Sequence, residues 1–254
     1  MTTVSSEQIS LEMNLKELKL PMMLKMYSQI SREAVEENLG YEQYLNRLIQ
    51  YEVDVRLNNR IKHLLSIANF PRNKLISDFQ FDRVKAVKKE VIVELCQGHF
   101  LSDHTNIILY GNPGAGKTHL VLGIGRELCL KGFKVIFFTG CQLIQELIKA
   151  KNNQNIMNFL KKLRRFDLVI IDELGFIPLE KGEGDLLFQF ISDRYERGSI
   201  IITSNLVFSQ WDNIFKDPIT TAAAVDRIIH HAILFDFTED SSYRTKVAQK
   251  RLQM

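Results

Sequence analysis

The chain has 254 residues, 45% of them hydrophobic and 25% charged, and a net charge of +3 with a sequence pI near 8.6. That length accommodates one large domain and a smaller one, and the mildly basic balance permits a nucleic-acid partner without demonstrating one. No apolar run approaches the ~18 residues of a membrane span, and no basic-then-apolar leader opens the chain, so a cytoplasmic protein without a membrane partner is expected. The three cysteines, Cys96, Cys129 and Cys141, lack C-x-x-C spacing and lie in apolar surroundings; buried free thiols are expected rather than a zinc site.

Residues 1–9 are polar and are expected to carry no regular structure. From residue 10, Leu15, Leu18, Leu20 and Met23 recur at close to helical intervals, and Pro21 marks a helix boundary or the first turn of the next helix. After Gly40 a second periodic stretch, residues 41–65, carries Tyr44, Leu45, Leu48, Ile49, Val53, Val55 and Leu64. Residues 1–70 therefore read as a small helical domain. Its bases, Arg47, Arg56, Arg60 and Lys62, are nearly balanced by Glu42, Glu52 and Asp54, which favours an ordinary solvated face over a track along DNA phosphates.

The Ala68-Asn-Phe-Pro-Arg72 segment breaks the periodicity, and residues 71–98 read as a linker. Within it residues 74–82 are expected to be irregular. A connecting helix is expected over 83–96, with Val84, Val87, Val91 and Leu95 on one side, Lys85, Lys88 and Lys89 on the other, and Gly98 ending it. The third segment, residues 99–254, begins with an apolar strand at 106–110 and continues into Gly111, Asn112, Pro113, Gly114, Ala115, Gly116, Lys117 and Thr118, followed by His119 and a helix over 119–130. This is the G-x-x-x-x-G-K-[ST] pattern between a strand and a helix, the context in which it forms a phosphate-binding loop. Its glycines let successive N–H groups converge on phosphate oxygens, Lys117 is expected to reach the β- and γ-phosphates of ATP, and the Thr118 hydroxyl is expected to hold Mg²⁺.

A strand at 135–138 and helices at 141–149 and 156–163 follow. Lys161, Lys162, Arg164 and Arg165 place four bases within five residues, which fits either a helix C-terminus complementing its own dipole or a contact with nucleic acid. The strand at 168–172 ends in Asp172-Glu173, about 55 residues beyond Lys117. Such a strand supplies a carboxylate for Mg²⁺, Asp172, and a general base for the attacking water, Glu173. No N-K-x-D guanine signature accompanies them.

A helix at 185–194, a strand at 199–203, a helix at 221–225 and a strand at 232–237 complete the pattern. Asn205, just past a strand tip, is the candidate to contact the γ-phosphate and the lytic water, although an Asn in such a turn also has purely local uses. Arg227 either stays in its own subunit as a salt bridge or reaches a neighbour's nucleotide. Five strands alternating with helices imply an α/β three-layer sandwich on a parallel five-stranded sheet, preceded by the all-helical domain.

The loop, Ile171-Asp-Glu-Leu-Gly-Phe176, Asp193-Arg-Tyr-Glu-Arg197, Ile202-Thr-Ser-Asn-Leu206, Trp211 and Ala223-Ala-Val-Asp-Arg-Ile-Ile-His-His-Ala232 together resemble the IstB-like transposition helper ATPases, in the initiator and helicase-loader branch of AAA+ proteins. The resemblance implies an ATPase with Asp172 and Glu173 as Walker B acids, Asn205 as sensor 1 and Arg227 as an arginine finger acting on a neighbour. It implies a homo-oligomer formed on ATP binding, double-stranded DNA and the transposase of the same element as partners, and DNA contacts from the insertion bearing Lys161, Lys162, Arg164 and Arg165. The closest alternative is a replicative helicase loader of the DnaC type. Two departures stand out: no glycine shortly precedes Ser242-Tyr-Arg244, and no helical lid follows the sheet.

Overall fold

The computed structural model describes residues 5–240 apart from 177 and 181, together with Ser242; Tyr243 and Arg244 of the Ser242-Tyr-Arg244 triplet lie outside the described residues. The chain divides into two compact units, one up to His63 and one from Leu64, the division falling inside a single helix.

The first unit contains α1 (Ser6–Glu17), α2 (Pro21–Glu36) and most of α3 (Tyr41–Ile67). Helix α1 starts inside the stretch expected to be irregular, because the Ser5 hydroxyl accepts the Gln8 N–H at 3.1 Å and caps it. Pro21 takes the first position of α2, where its missing N–H is no loss. Leu20 offers no side-chain cap, and the buried carboxylate of Glu52 in α3 accepts instead from the N–H groups of Met22 (2.8 Å) and Met23 (3.2 Å). Arg56, one turn along, donates to the other Glu52 oxygen at 2.8 Å and also to the Lys19 carbonyl. An anion thus sits at a helix N-terminus and is itself neutralised.

The second unit is built on five parallel strands: β1 (Asn106–Gly111), β2 (Val135–Thr139), β3 (Leu168–Leu174), β4 (Ser199–Ser204) and β5 (Ala232–Phe237), in the order β2-β3-β4-β1-β5. Both faces are covered, which is why the strands read as apolar runs rather than alternating ones. Ile107, Leu109, Leu168, Ile170 and Ile201 pack on one side with α5 (Lys117–Leu130) and residues 64–101. Ile108, Val169, Ile171, Ile200 and Ile202 pack on the other with α6 (Gly140–Asn152), α7 (Ile156–Leu163), α8 (Glu183–Arg194), α9 (Asp212–Phe215) and α10 (Pro218–Ile229). Thr139 and Gln142 cap α6 reciprocally, and Asp217 caps α10 by accepting the Thr220 N–H at 2.7 Å, so α10 starts earlier than its apolar pattern suggests.

The expected helix over 83–96 is shorter: only Lys89–Leu95 is helical and forms α4. The preceding amides go elsewhere, since the buried carboxylate of Asp240 accepts from Lys85 N at 2.8 Å and Ala86 N at 3.2 Å. Leu64, Ala68, Val87, Ile92 and Leu95 are buried in the sheet's first core, so residues that read as linker form part of the large unit. Cys96 and Cys129 are buried, and burial pushes their thiols up to about 12 and about 11. Cys141, in the first turn of α6, is exposed, contrary to the expectation from its apolar neighbours.

Candidate nucleotide site

The phosphate loop leaves β1 at Gly111, where φ is +120° and an added Cβ would lie 2.5 Å from the Phe237 carbonyl carbon of β5. Only glycine tolerates that approach. Asn112 ties the loop to the chain beyond β5, its Nδ2 donating to Thr238 O at 2.6 Å and Asp240 O at 3.2 Å. Gly116 (φ +107°) precedes α5 without any side-chain cap, and the Phe79 ring closes over it. A left-handed residue followed by an uncapped helix start presents backbone N–H groups for an anion. His119 faces the segment before the core: its Nε2 meets Leu75 O at 2.7 Å and its ring packs edge-on against Phe79.

Lys117 Nζ donates to Gly111 O (2.7 Å), Asn112 O (2.8 Å) and Asn205 Oδ1 (3.1 Å), so the turn after β4 and the loop after β1 meet at one ammonium group. Adjacent strands make this possible, with Tyr110 opposite Ser204 in the β1–β4 register. Thr118 Oγ1 donates to Asp172 Oδ1 at 3.0 Å. Thr203 Oγ1 donates to the same carboxylate oxygen at 2.5 Å and accepts from Glu173 N at 2.8 Å. The β3–β4 ladder shifts register between Ile171 and Leu174, and Glu173 sits in that bulge with φ +59°, in the left-handed region. A bulge at a strand end turns consecutive side chains to different surroundings: Asp172 is buried, whereas Glu173 is exposed. Thr203 was not among the residues expected to act here, because inside Ser199-Ile-Ile-Ile-Thr-Ser204 it reads simply as strand.

A hydroxyl and a carboxylate oxygen 3.0 Å apart are hard donors of the kind Mg²⁺ takes, and the loop amides with Lys117 supply the positive lining that phosphates require. The residues present therefore fit both groups.

Arg227 stands apart from these residues. It lies in the last turn of α10, stacked 4.8 Å over the Phe188 ring and donating to Ala223 O. Asn106, the first residue of β1, bonds Ile228 O at 3.0 Å, so Arg227 neighbours the strand end opposite the phosphate loop, about 16 Å along the strand. Lys161, Lys162, Arg164 and Arg165 are exposed at the end of α7, but Arg164 is paired through Nε with Asp193 of α8 at 2.9 Å. Arg194 is buried and caps the same end, donating to Leu163 O, Phe166 O, Asp167 O and Ser199 O at 2.9–3.0 Å; Arg197 is exposed. Burial lowers the Arg194 guanidinium to about 10. In the helical unit Arg60 is exposed on α3, and Arg56 is engaged with Glu52.

The parallel sheet in this order, with a phosphate loop after β1, a polar residue after the adjacent strand β4 and an acid pair near the end of β3, one strand further on, defines a P-loop nucleotide-binding protein of AAA+ architecture. The AMPPCP-bound DnaA of Aquifex aeolicus shares this fold, with a TM-score of 0.56 and 21% identity over 72% of the chain, although the chain spans only 55% of that protein. The sequence matches the IstB-like ATP binding protein family over residues 13–251, and the chain belongs to that family. Relatives include an insertion-sequence ATP-binding protein of Sinorhizobium fredii, 35% identical over 96% of this chain and 82% of that one. Another, from the insertion sequence IS232 of Bacillus thuringiensis, is 34% identical over 92% of this chain and 93% of its own. Among the described residues no helix is long and apolar enough to cross a membrane.

Proposed function

We propose that the chain is a Mg²⁺-dependent ATPase of an insertion sequence, active in the cytoplasm, that oligomerises on double-stranded DNA when ATP is bound and recruits or stimulates the transposase of the same element. The observation that carries the hydrolytic part is the connected set Lys117–Asn205 and Thr118–Asp172–Thr203–Glu173. The insertion-sequence names of its relatives support the link to a mobile element.

In this reading the loop amides from Gly111 to Thr118 bind the phosphates, and Lys117 exchanges its carbonyl partners for phosphate oxygens while Asn205 keeps it aligned. Thr118 and Asp172 hold Mg²⁺, which offsets charge on the phosphates when bound. Glu173 accepts the proton of the attacking water, and Thr203 fixes the backbone that presents it. The placement of Arg227 at the far strand end supports a role toward a neighbouring subunit; such a residue is worth on the order of 10³ to 10⁵ in rate. Lys161, Lys162 and Arg165 supply charge for DNA phosphates, and residues 1–70 grip DNA or engage the transposase.

The test is ATP turnover by the purified protein alone, with duplex and with single strands, while particle size is followed with a non-hydrolysable ATP analogue. Duplex stimulation and analogue-driven assembly are expected, and Arg227→Ala should abolish the stimulation while leaving ATP binding by the isolated subunit intact. Preference for single strands, or silence until a helicase is added, overturns the DNA-targeting reading.

A further inference from the structure

Away from the nucleotide site, two turns at the opposite edge of the sheet bring together a carboxylate and two imidazoles. Helix α8 ends before Tyr195-Glu196-Arg197, where Glu196 adopts φ +56°, and helix α10 ends before His230 and His231, which lead into β5. One potential ligand atom from each of Glu196, His230 and His231 lies within 4.8 Å of the others, and all three side chains are exposed. The ligands come from segments more than 30 residues apart, and the buried Asn106 bonds backbone at or near each of them. Asn106 Nδ2 donates to Ile228 O at 3.0 Å, its backbone N donates to His231 O at 2.6 Å, and its Oδ1 accepts from Ile200 N at 2.9 Å. Arg194 holds the adjoining Ser199 carbonyl at 2.9 Å. The Tyr195 hydroxyl lies 2.9 Å from His230 Nδ1 and restrains that ring. The backbone that carries the histidines is thus held directly, and the turn that carries Glu196 is held at its far end, where β4 starts.

We propose that Glu196, His230 and His231 bind one divalent transition-metal ion of the zinc class. Imidazole with a single carboxylate suits Zn²⁺, Ni²⁺ or Cu²⁺ better than Mg²⁺, which prefers oxygen donors. Ligands at about 2.0–2.1 Å around a tetrahedral ion stand about 3.3 Å from one another, so the exposed side chains need to close by at most about 1.5 Å from their present separation. Three protein ligands leave a fourth position open to water or to a partner. Glu196 and His231 also line the cavity that Arg227 borders, so the carboxylate offsets part of the repulsion between ion and guanidinium.

The site is independent of the ATPase reading and is tested without nucleotide. The full chain is titrated with Co²⁺, followed by its visible d–d absorption, and then with Zn²⁺ by calorimetry and by displacement of Co²⁺. One ion per chain with micromolar or tighter affinity is expected, and a tetrahedral band that Zn²⁺ abolishes. His230→Ala with His231→Ala should remove binding, Glu196→Gln should weaken it, and Tyr195→Phe should cost about 10-fold, as outer-shell partners do. Cys141→Ser, which removes the exposed thiol, should change nothing. Because the substituted side chains are exposed, thermal melting checks that each variant is folded. Absence of saturable binding, or binding that survives the double histidine substitution, overturns the proposal.

Discussion

Thr203→Val is the most informative substitution at the nucleotide site. Thr203 is 1% exposed, and its hydroxyl makes two bonds, donating to Asp172 Oδ1 at 2.5 Å and accepting from Glu173 N at 2.8 Å. A methyl in its place removes a bond to a carboxylate, about 1.5–3 kcal/mol, and strands an N–H, about 1–3 kcal/mol. Glu173 is exposed, so water recovers part of the second loss, and a total of about 3 kcal/mol follows. In a unit of this size each kcal/mol lowers Tm by about 2–4 °C, so the melting temperature should drop by about 6–12 °C. Catalysis should suffer separately. Freed from Thr203, the bulge at Glu173 relaxes, and a shift of about 1 Å in a positioned base costs about 10²-fold in kcat. KM for MgATP should rise less than kcat falls, because the loop amides and Lys117 are untouched and only Asp172, among the groups that would hold the nucleotide and its metal, loses a partner. Thr203→Ser keeps the hydroxyl and should recover most of the rate. A valine variant with wild-type melting and wild-type kcat would refute the claim that this hydroxyl orders the acid pair.

Gly116→Ala places a Cβ 2.7 Å from Phe79 Cε2 at a φ of +107°, and should weaken binding of a fluorescent ATP analogue by about 5- to 30-fold, as expected of about 1–2 kcal/mol of left-handed strain; unchanged affinity would mean that the loop tolerates another conformation. Glu52→Gln should destabilise the helical unit by about 1.5–3 kcal/mol in denaturant melts, since it removes a charged acceptor from two N–H groups and Arg56. Burial pulls the Glu52 carboxyl up, but the Arg56 guanidinium and the N–H groups of Met22 and Met23 together hold it below the usual glutamate range. Its stabilisation is thus complete above about pH 4.3 and is lost as the pH falls further, and Glu52→Gln should remove that part of the acid transition. In duplex-binding assays, Lys161→Ala with Lys162→Ala should reduce the salt slope by up to about 1.8 if both contact phosphates; Arg164→Ala should reduce it less, because Asp193 already holds that guanidinium.

Much of the fold was legible because its causes are local. A strand buried on both faces is apolar along most of its length, and 106–110, 135–138, 168–172 and 199–203 have that composition; 232–237, an edge strand, is apolar apart from Asp236, so the five strands and their order along the chain follow from composition and spacing. The phosphate loop was legible for a related reason: its glycines are required by close approaches within one short segment, such as Gly111 against Phe237. Where the reading failed, a distant group intervened. Val84, Val87, Val91 and Leu95 have helical spacing, but Asp240 claims the Lys85 and Ala86 amides from about 155 residues away, and the helix shortens to Lys89–Leu95.

The same distinction separates the residues that the motifs reveal from those that place them. Lys117, Thr118, Asp172 and Glu173 announce themselves by spacing, because phosphate chemistry restricts their types. Thr203, Asp193 and Arg194 lie in segments that carry the family resemblance, but neither they nor Asn106 show by spacing what they do, and each acts through a register or a crossing that only the folded sheet creates. Arg194 is the clearest case. From sequence it is one base in a charged helix end, yet it is 2% exposed and surrounded by four carbonyls. A buried guanidinium is tolerated only where several acceptors converge. Here they come from the end of α7, the entry to β3 and the start of β4. Asp193 beside it takes Arg164, so the last turn of α8 determines where the basic end of α7 stands. Through Phe188 in its middle and Tyr195 just past its end, the same helix contacts Arg227 and His230. The basic end of α7 and the Arg227 edge therefore share one support.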